Sequence, residues 1–121
     1  MPVTTINQPE ELLYAPSFDH ALKDPVQNAI PISSRNRLIV IEGNYTLLNQ
    51  KPWNEIANLC EEKWFVDANR EVVKQRLAQR HLLAGIETDA LAAEQRAEEN
   101  DLPNGDFIRD MLIAPDVVIQ N

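Results

Sequence analysis

Leu38-Ile39-Val40-Ile41-Glu42-Gly43-Asn44 is the stretch on which the fold turns. Four β-branched or aliphatic residues follow one another with no polar alternation. Such a run suits a strand covered on both faces, as in a parallel sheet. Glu42-Gly43-Asn44 then supplies the turn that ends it. Working outward, Pro52 to Glu62 reads as a helix with its proline in the first turn. Lys63-Trp64-Phe65-Val66 reads as a second strand ending at Asp67. Asn69 is a good N-cap for a helix from Arg70 to about Ala84, and Gly85 is a natural residue just past its end. Thr88 or Asp89 caps another helix running to about Glu99, and Asn100-Asp101-Leu102-Pro103 breaks it. Asn104 caps a last short helix over 106–113, and Val117-Val118-Ile119 is a third strand. Upstream, Tyr14 to Asp24 and Pro25 to Asn36 read as irregular connections, and residues 1–13 as loose. Strands alternating with helices predict an α/β chain with a parallel sheet and right-handed crossovers. Three strands are few for such a sheet, so part of its cover is expected to come from elsewhere.

Composition limits the functions available. A chain of 121 residues suits one domain, and 44% apolar with 25% charged residues is ordinary for a globular protein. No apolar run approaches the roughly 20 residues of a membrane span. The N-terminal residues show neither the basic nor the apolar region of a secretory signal, so a cytoplasmic location is expected. Nineteen acids against eleven bases give a net charge of −8, which disfavours nonspecific nucleic-acid binding. The single cysteine, Cys60, excludes an internal disulfide and a cysteine-based metal cluster, and its register with Trp53, Ile56 and Ala57 places it in a core. His20 and His81 are the only histidines and lie far apart, which argues against zinc.

Three clusters carry chemistry. Glu42 follows a parallel strand directly, and ligands of open α/β sheets bind beyond the carboxyl ends of the strands. A carboxylate there can hold Mg²⁺ beside phosphates or accept a proton from a hydroxyl; it can equally be a solvated loop acid. Arg76 and Arg80, four residues apart on one helix face, offer two guanidinium forks suited to a phosphate chain, with His81 beside them. The alternative is a solvated basic face paired with Glu71 or Glu87. Tyr14, Asp19 and His20, in a proline-containing loop with Phe18, could bind a polyol or activate its hydroxyl, or simply pack the loop.

Taken in order, these segments resemble a known family. Tyr14-Ala15-Pro16-Ser17-Phe18-Asp19-His20 onward to Val26 resembles the substrate-side loop of uridine-kinase-like and fructose-transport-type P-loop kinases. Leu38 to Leu48 is similar to their following strand and its acidic end. Trp64 to Ala68, then Arg76-Leu77-Ala78-Gln79-Arg80-His81, resembles the next strand and the lid helix. Asn100 to Asn104 and Ala114 to Asn121 resemble the closing segments. Phosphoribulokinase and type I pantothenate kinase are more distant relatives. The resemblance implies a partial P-loop NTPase fold, the C-terminal part of one kinase domain over 1–121. It implies transfer of the γ-phosphate of ATP, with Mg²⁺, to a hydroxyl of a nucleoside-like or sugar-like acceptor. By the same resemblance Tyr14, Asp19 and His20 face the acceptor, Asp19 and Glu42 serve catalysis, Glu42 lies near Mg²⁺, and Arg76 and Arg80 close over the phosphates.

The departure is equally clear. The family cradles phosphates with a Gly-x-x-x-x-Gly-Lys-Ser/Thr loop between a strand and a helix. None of the three glycines here, Gly43, Gly85 and Gly105, begins that pattern. The N-terminal strand, loop and helix are therefore missing from this sequence. Two expectations follow: a kinase part inactive by itself, or a noncatalytic half-domain whose open sheet is covered by a partner chain or a second copy.

Overall fold

The computed structural model describes residues 11–19 and 23–121. The described residues fall into two compact units, divided after Ile41.

The first unit is an antiparallel hairpin of β1 (Leu12–Asp19) and β2 (Asp24–Ser33). This corrects the expectation of irregular connections over these residues. Pro16, Pro25 and Pro31 suggest broken structure, but in a two-stranded ribbon both strands are edges and a missing N–H need face no partner. Along β1 the half-buried residues Leu13, Ala15 and Ser17 alternate with exposed Leu12, Tyr14, Pro16 and Phe18, the period of a strand with one covered face. The register slips between Ala15, opposite Ile30, and Ser17, opposite Val26. The surplus residues on β2 include Asn28, whose φ of 55° lies in the left-handed region that asparagine tolerates.

Leu38–Ile41 follows this hairpin and is not a strand, against expectation. Its run of apolar residues has the right composition, but a strand also needs a ladder partner, and none pairs with it among the described residues. Leu38 and Val40 are about 80% exposed.

The second unit holds α1 (Asn54–Ala57), β3 (Trp64–Asp67), α2 (Arg70–Leu83), α3 (Ala90–Arg96), a π-helical turn (Ala97–Asp101), α4 (Leu102–Asp110) and β4 (Val117–Gln120). β3 and β4 pair in parallel, Trp64 opposite Val117 through Asp67 opposite Gln120. Asp116 secures the start of this ladder: its Oδ2 accepts the Lys63 backbone N–H at 2.8 Å, and its own N–H donates to the Lys63 carbonyl. The expected helix at 52–62 shrinks to α1, with turns on either side. Cys60, expected in a core, is half-buried, its thiol directed to the Ile56 carbonyl.

α2 begins and ends where its capping residues dictate. Asn69 Oδ1 accepts the Glu71 N–H at 2.9 Å, and Gly85 adopts a φ of 68° past the last turn. Asp89 likewise caps α3 through the Ala92 N–H. The predicted break at Asn100–Pro103 does not occur. The chain passes from α3 through the π turn into α4, with Pro103 in the first turn of α4. A proline ring crowds the carbonyl four residues back and donates no bond. The widened turn, whose Leu102 N–H reaches the Ala97 carbonyl five residues back, meets that constraint without ending the helix. Asn104 is therefore inside α4 rather than a cap, and its Oδ1 accepts a hydrogen bond from the Tyr45 hydroxyl at 3.0 Å.

The core is small. Ala78 and His81 of α2, Ala93 of α3, Ala97 of the π turn and Leu102 of α4 are buried where these helices pack. Leu48, 2% exposed, anchors a second contact in which segment 47–49 pairs with 111–113 by backbone hydrogen bonds of 2.7 and 2.9 Å. No helix among the described residues is long and apolar enough to cross a membrane.

Candidate functional site

The parallel pair fixes where a site can form. β3 and β4 end side by side, and the Asn121 N–H donates to the Asp67 carbonyl at 2.9 Å. The chain then leaves β3 through Ala68 and Asn69 into α2. Between the strand ends and α2 lies a concave surface of about 270 Å³. Val66 and Ala68 line it from the β3 side, Val73, Arg76, Leu77 and Arg80 from α2, and Asn121 from beyond β4. The helical period puts Val73, Arg76, Leu77 and Arg80 on adjoining ridges of one face. An apolar floor thus carries two guanidinium groups at its rim.

The charges on α2 divide sharply. Arg70 is ion-paired with Asp106, and Lys74 with Glu98 at 3.3 Å. Glu87, one expected partner for the arginine pair, instead takes Arg96 at 3.2 Å. Arg76 and Arg80 form no ion pair or hydrogen bond among the described residues. Two unneutralised cations at the carboxyl end of parallel strands attract an anion, and their planar forks fit paired phosphate oxygens.

His81 does not join them. It turns inward, 6% exposed, with Nε2 at 2.6 Å from Asp101 Oδ2. Glu42 is exposed and does not line the concavity. Tyr14 lies on β1 in the other unit, half exposed. His20 and the side chain of Asp19 lie outside the described residues.

Asp67 also sits at the strand end, but it is committed elsewhere. The Arg109 guanidinium donates to its Oδ1 at 2.6 Å and holds its carboxyl below the usual carboxylate range, helped by the Ala68 N–H and the Gln120 side chain. Asp116 is lowered in the same direction by the N–H and ammonium of Lys63. In each case the unfolded chain binds the proton more readily. Their stabilisation is therefore full above the unfolded value of about 4 and is lost as pH falls through the folded one. The thermal midpoint is expected to drop more steeply below about pH 4 in the wild type than in Asp67→Asn. Equal slopes would show that the Asp67–Arg109 contact does not hold in solution.

No family model matches the chain. It overlays on the crystal structure of YFH7 from Saccharomyces cerevisiae, described as a candidate P-loop kinase with a circular permutation, with a TM-score of 0.79 and 31% identity. That match covers 94% of this chain and 36% of YFH7. It overlays equally on a candidate fructose transport system kinase from a Silicibacter species, with a TM-score of 0.80 and 28% identity, covering 90% of this chain and 52% of the other. This chain carries part of a P-loop kinase fold. Sequence relatives agree. An ATP-dependent kinase-like protein of Aspergillus versicolor is 47% identical over 79% of the chain, and a candidate uridine kinase of Schizosaccharomyces pombe is 40% identical over 89%. The chain spans 56% of the first relative and 46% of the second. The P-loop kinase resemblance drawn from the sequence therefore holds, for part of the length of such enzymes.

The four-residue spacing read from the sequence put Arg76 and Arg80 on one helix face, and both line this concavity. Sequence reasoning missed that Val66, Ala68 and Asn121 complete the concavity, because bringing Asn121 beside the end of β3 depends on a strand pairing more than fifty residues apart.

Proposed function

We propose that this chain supplies the phosphate-closing and acceptor-facing part of an ATP-dependent small-molecule kinase. The observation that carries this reading is that Arg76 and Arg80, at the carboxyl end of the parallel strands, have no ion-pair partner among the described residues. Its relatives named as ATP-dependent kinases give the reaction class. In this reading the two arginines bind the oxygens of the nucleotide phosphates and offset charge on the group in transit. The apolar floor of Val66, Val73 and Leu77 excludes water, which favours transfer to a hydroxyl over hydrolysis. Tyr14, Asp19 and His20 face a nucleoside-like or sugar-like acceptor, and Asp19 or Glu42 takes the proton of its hydroxyl.

Mg²⁺ fits within limits. Among the described residues no group of three or more His, Cys, Asp or Glu side chains is placed to hold a metal. Mg²⁺ bound to nucleotide needs only one or two protein carboxylates, because phosphates and water fill the rest, and Glu42 is the carboxylate assigned to it. The ion would neutralise phosphate charge.

A second reading has its own support. Leu38–Ile41 is apolar and exposed, and the sequence has no Gly-x-x-x-x-Gly-Lys-Ser/Thr loop. A polypeptide of these 121 residues would then bind phosphate without transferring it.

One titration tests the phosphate-closing assignment that both readings share. Tripolyphosphate or ATP, with and without Mg²⁺, is added while the arginine Nε–H resonances are followed, and transfer of labelled phosphate is assayed in parallel. Saturable binding that moves Arg76 and Arg80, with no transfer, is expected. Absence of saturable binding would overturn the phosphate-closing assignment, and transfer would overturn the expectation of inactivity.

A further inference from the structure

A part-buried polar contact sits behind the arginine pair. Asp101 ends the π turn, and its carboxylate lies 2.6 Å from His81 Nε2. An ionised carboxylate only accepts, so the histidine proton is on Nε2 and the imidazole donates. The other ring nitrogen, Nδ1, is buried with no hydrogen-bond partner among the described residues. His81 therefore has one polar tether, and that tether belongs to another helix.

The π turn makes the tether possible. Ala93 and Ala97 are fully buried, four residues apart, and Asp101 lies four further on. In an unbroken α-helix each four-residue step drifts by about 40°, so position 101 would lie about 80° round from position 93. The additional residue per turn absorbs that drift and keeps Asp101 on the face packed against α2.

The other contacts on this face constrain the roll of α2 weakly. Ala78 and Ala93 present single methyl groups. The Lys74–Glu98 and Arg70–Asp106 pairs join flexible stems to carboxylates that are 62% and 45% exposed, so each holds the helix loosely. His81 follows Arg80 directly and is about 100° round the helix from it. Its fixed ring thus sets the direction in which Arg76 and Arg80 project.

We infer that His81 and Asp101 are positioning residues for the anion site, their hydrogen bond holding α2 in the roll that aims Arg76 and Arg80 at the ends of β3 and β4. This rests on the reading of those arginines as the phosphate-binding pair. Neither residue touches the ligand. The contact acts through the helix.

The test uses the full chain and tripolyphosphate as probe. Calorimetry gives the affinity, and residual dipolar couplings give the orientation of α2 against β3. Asp101→Ala removes the acceptor and is expected to weaken binding about tenfold while turning α2. Asp101→Asn keeps an oxygen acceptor, and His81→Gln keeps an N–H donor at similar reach. Both are expected to bind within about twofold of wild type. If Asp101→Ala does not fold, Asp101→Ser, too short to reach the ring, replaces it. Unchanged affinity and couplings in a folded Asp101→Ala or Asp101→Ser chain would overturn the positioning role and leave the phosphate site standing. A lower melting temperature with unchanged affinity would do the same. A wild-type chain that binds no tripolyphosphate would overturn the phosphate site first, and this role with it.

Discussion

Replacing Arg76 and Arg80 together with alanine is expected to weaken tripolyphosphate binding about a hundredfold. Hydrogen bonds to charged groups contribute about 1.5 kcal/mol each at the low end. Two of them give about 3 kcal/mol, or roughly two decades in affinity. Both side chains are exposed and make no ion pair among the described residues, so the fold should not suffer. Arg70→Ala is the informative control. It removes a cation from the same helix, but one already neutralised by Asp106. Binding should change little, and any loss should be recovered at low salt, where screening is weak. Calorimetric titration of the three proteins decides the matter. Equal affinities for the double variant and the wild type would exclude this concavity as the phosphate site.

Leu48→Ala is expected to cost about 3 kcal/mol of stability, within the range for buried leucines. Leu48 is 2% exposed, and it pins a segment that pairs with the chain leaving α4. In a protein whose total stability is about 5–15 kcal/mol, that loss is large. A fall of on the order of 10 °C in the melting temperature is expected. Leu48→Met, nearly equal in volume, should lose less than about 1.5 kcal/mol. Chemical denaturation of both variants measures this directly. A Leu48→Ala chain within about 0.5 kcal/mol of wild type would mean that the 47–49 contact with 111–113 contributes little to the fold.

The elements legible in the sequence are those set by local chemistry. Asn69 and Gly85 bound α2 because an N-cap oxygen and a left-handed residue act on their own turn. Trp64–Asp67 and Val117–Gln120 were legible as β-rich runs of the right length. Leu38–Ile41 has the same character yet forms no strand, because composition says nothing about whether a partner strand is present. The hairpin was obscured by its prolines, whose effect depends on whether a strand has one neighbour or two. The arginine pair was legible because four-residue spacing on a helix is local. Its lack of an ion pair among the described residues was not, since Glu87 faces Arg96 only once α2 and α3 pack. His81 was grouped with the arginines by adjacency in sequence, although one step along a helix is about 100° of rotation.

The π turn has a consequence for how a gene of this kind can vary. Between Ala93 and Leu102 the structure depends on the number of residues as much as on the identity of the buried Ala93, Ala97 and Leu102 and of Asp101. Loss of one codon there would leave a helix of ordinary local quality. Everything beyond it would be rotated by about 100°. Asp106 would then face away from Arg70, and Arg109 away from Asp67, undoing two ion pairs without altering either partner. Substitutions should therefore accumulate at the exposed positions 94–96 and 98–100 while insertions and deletions are purged.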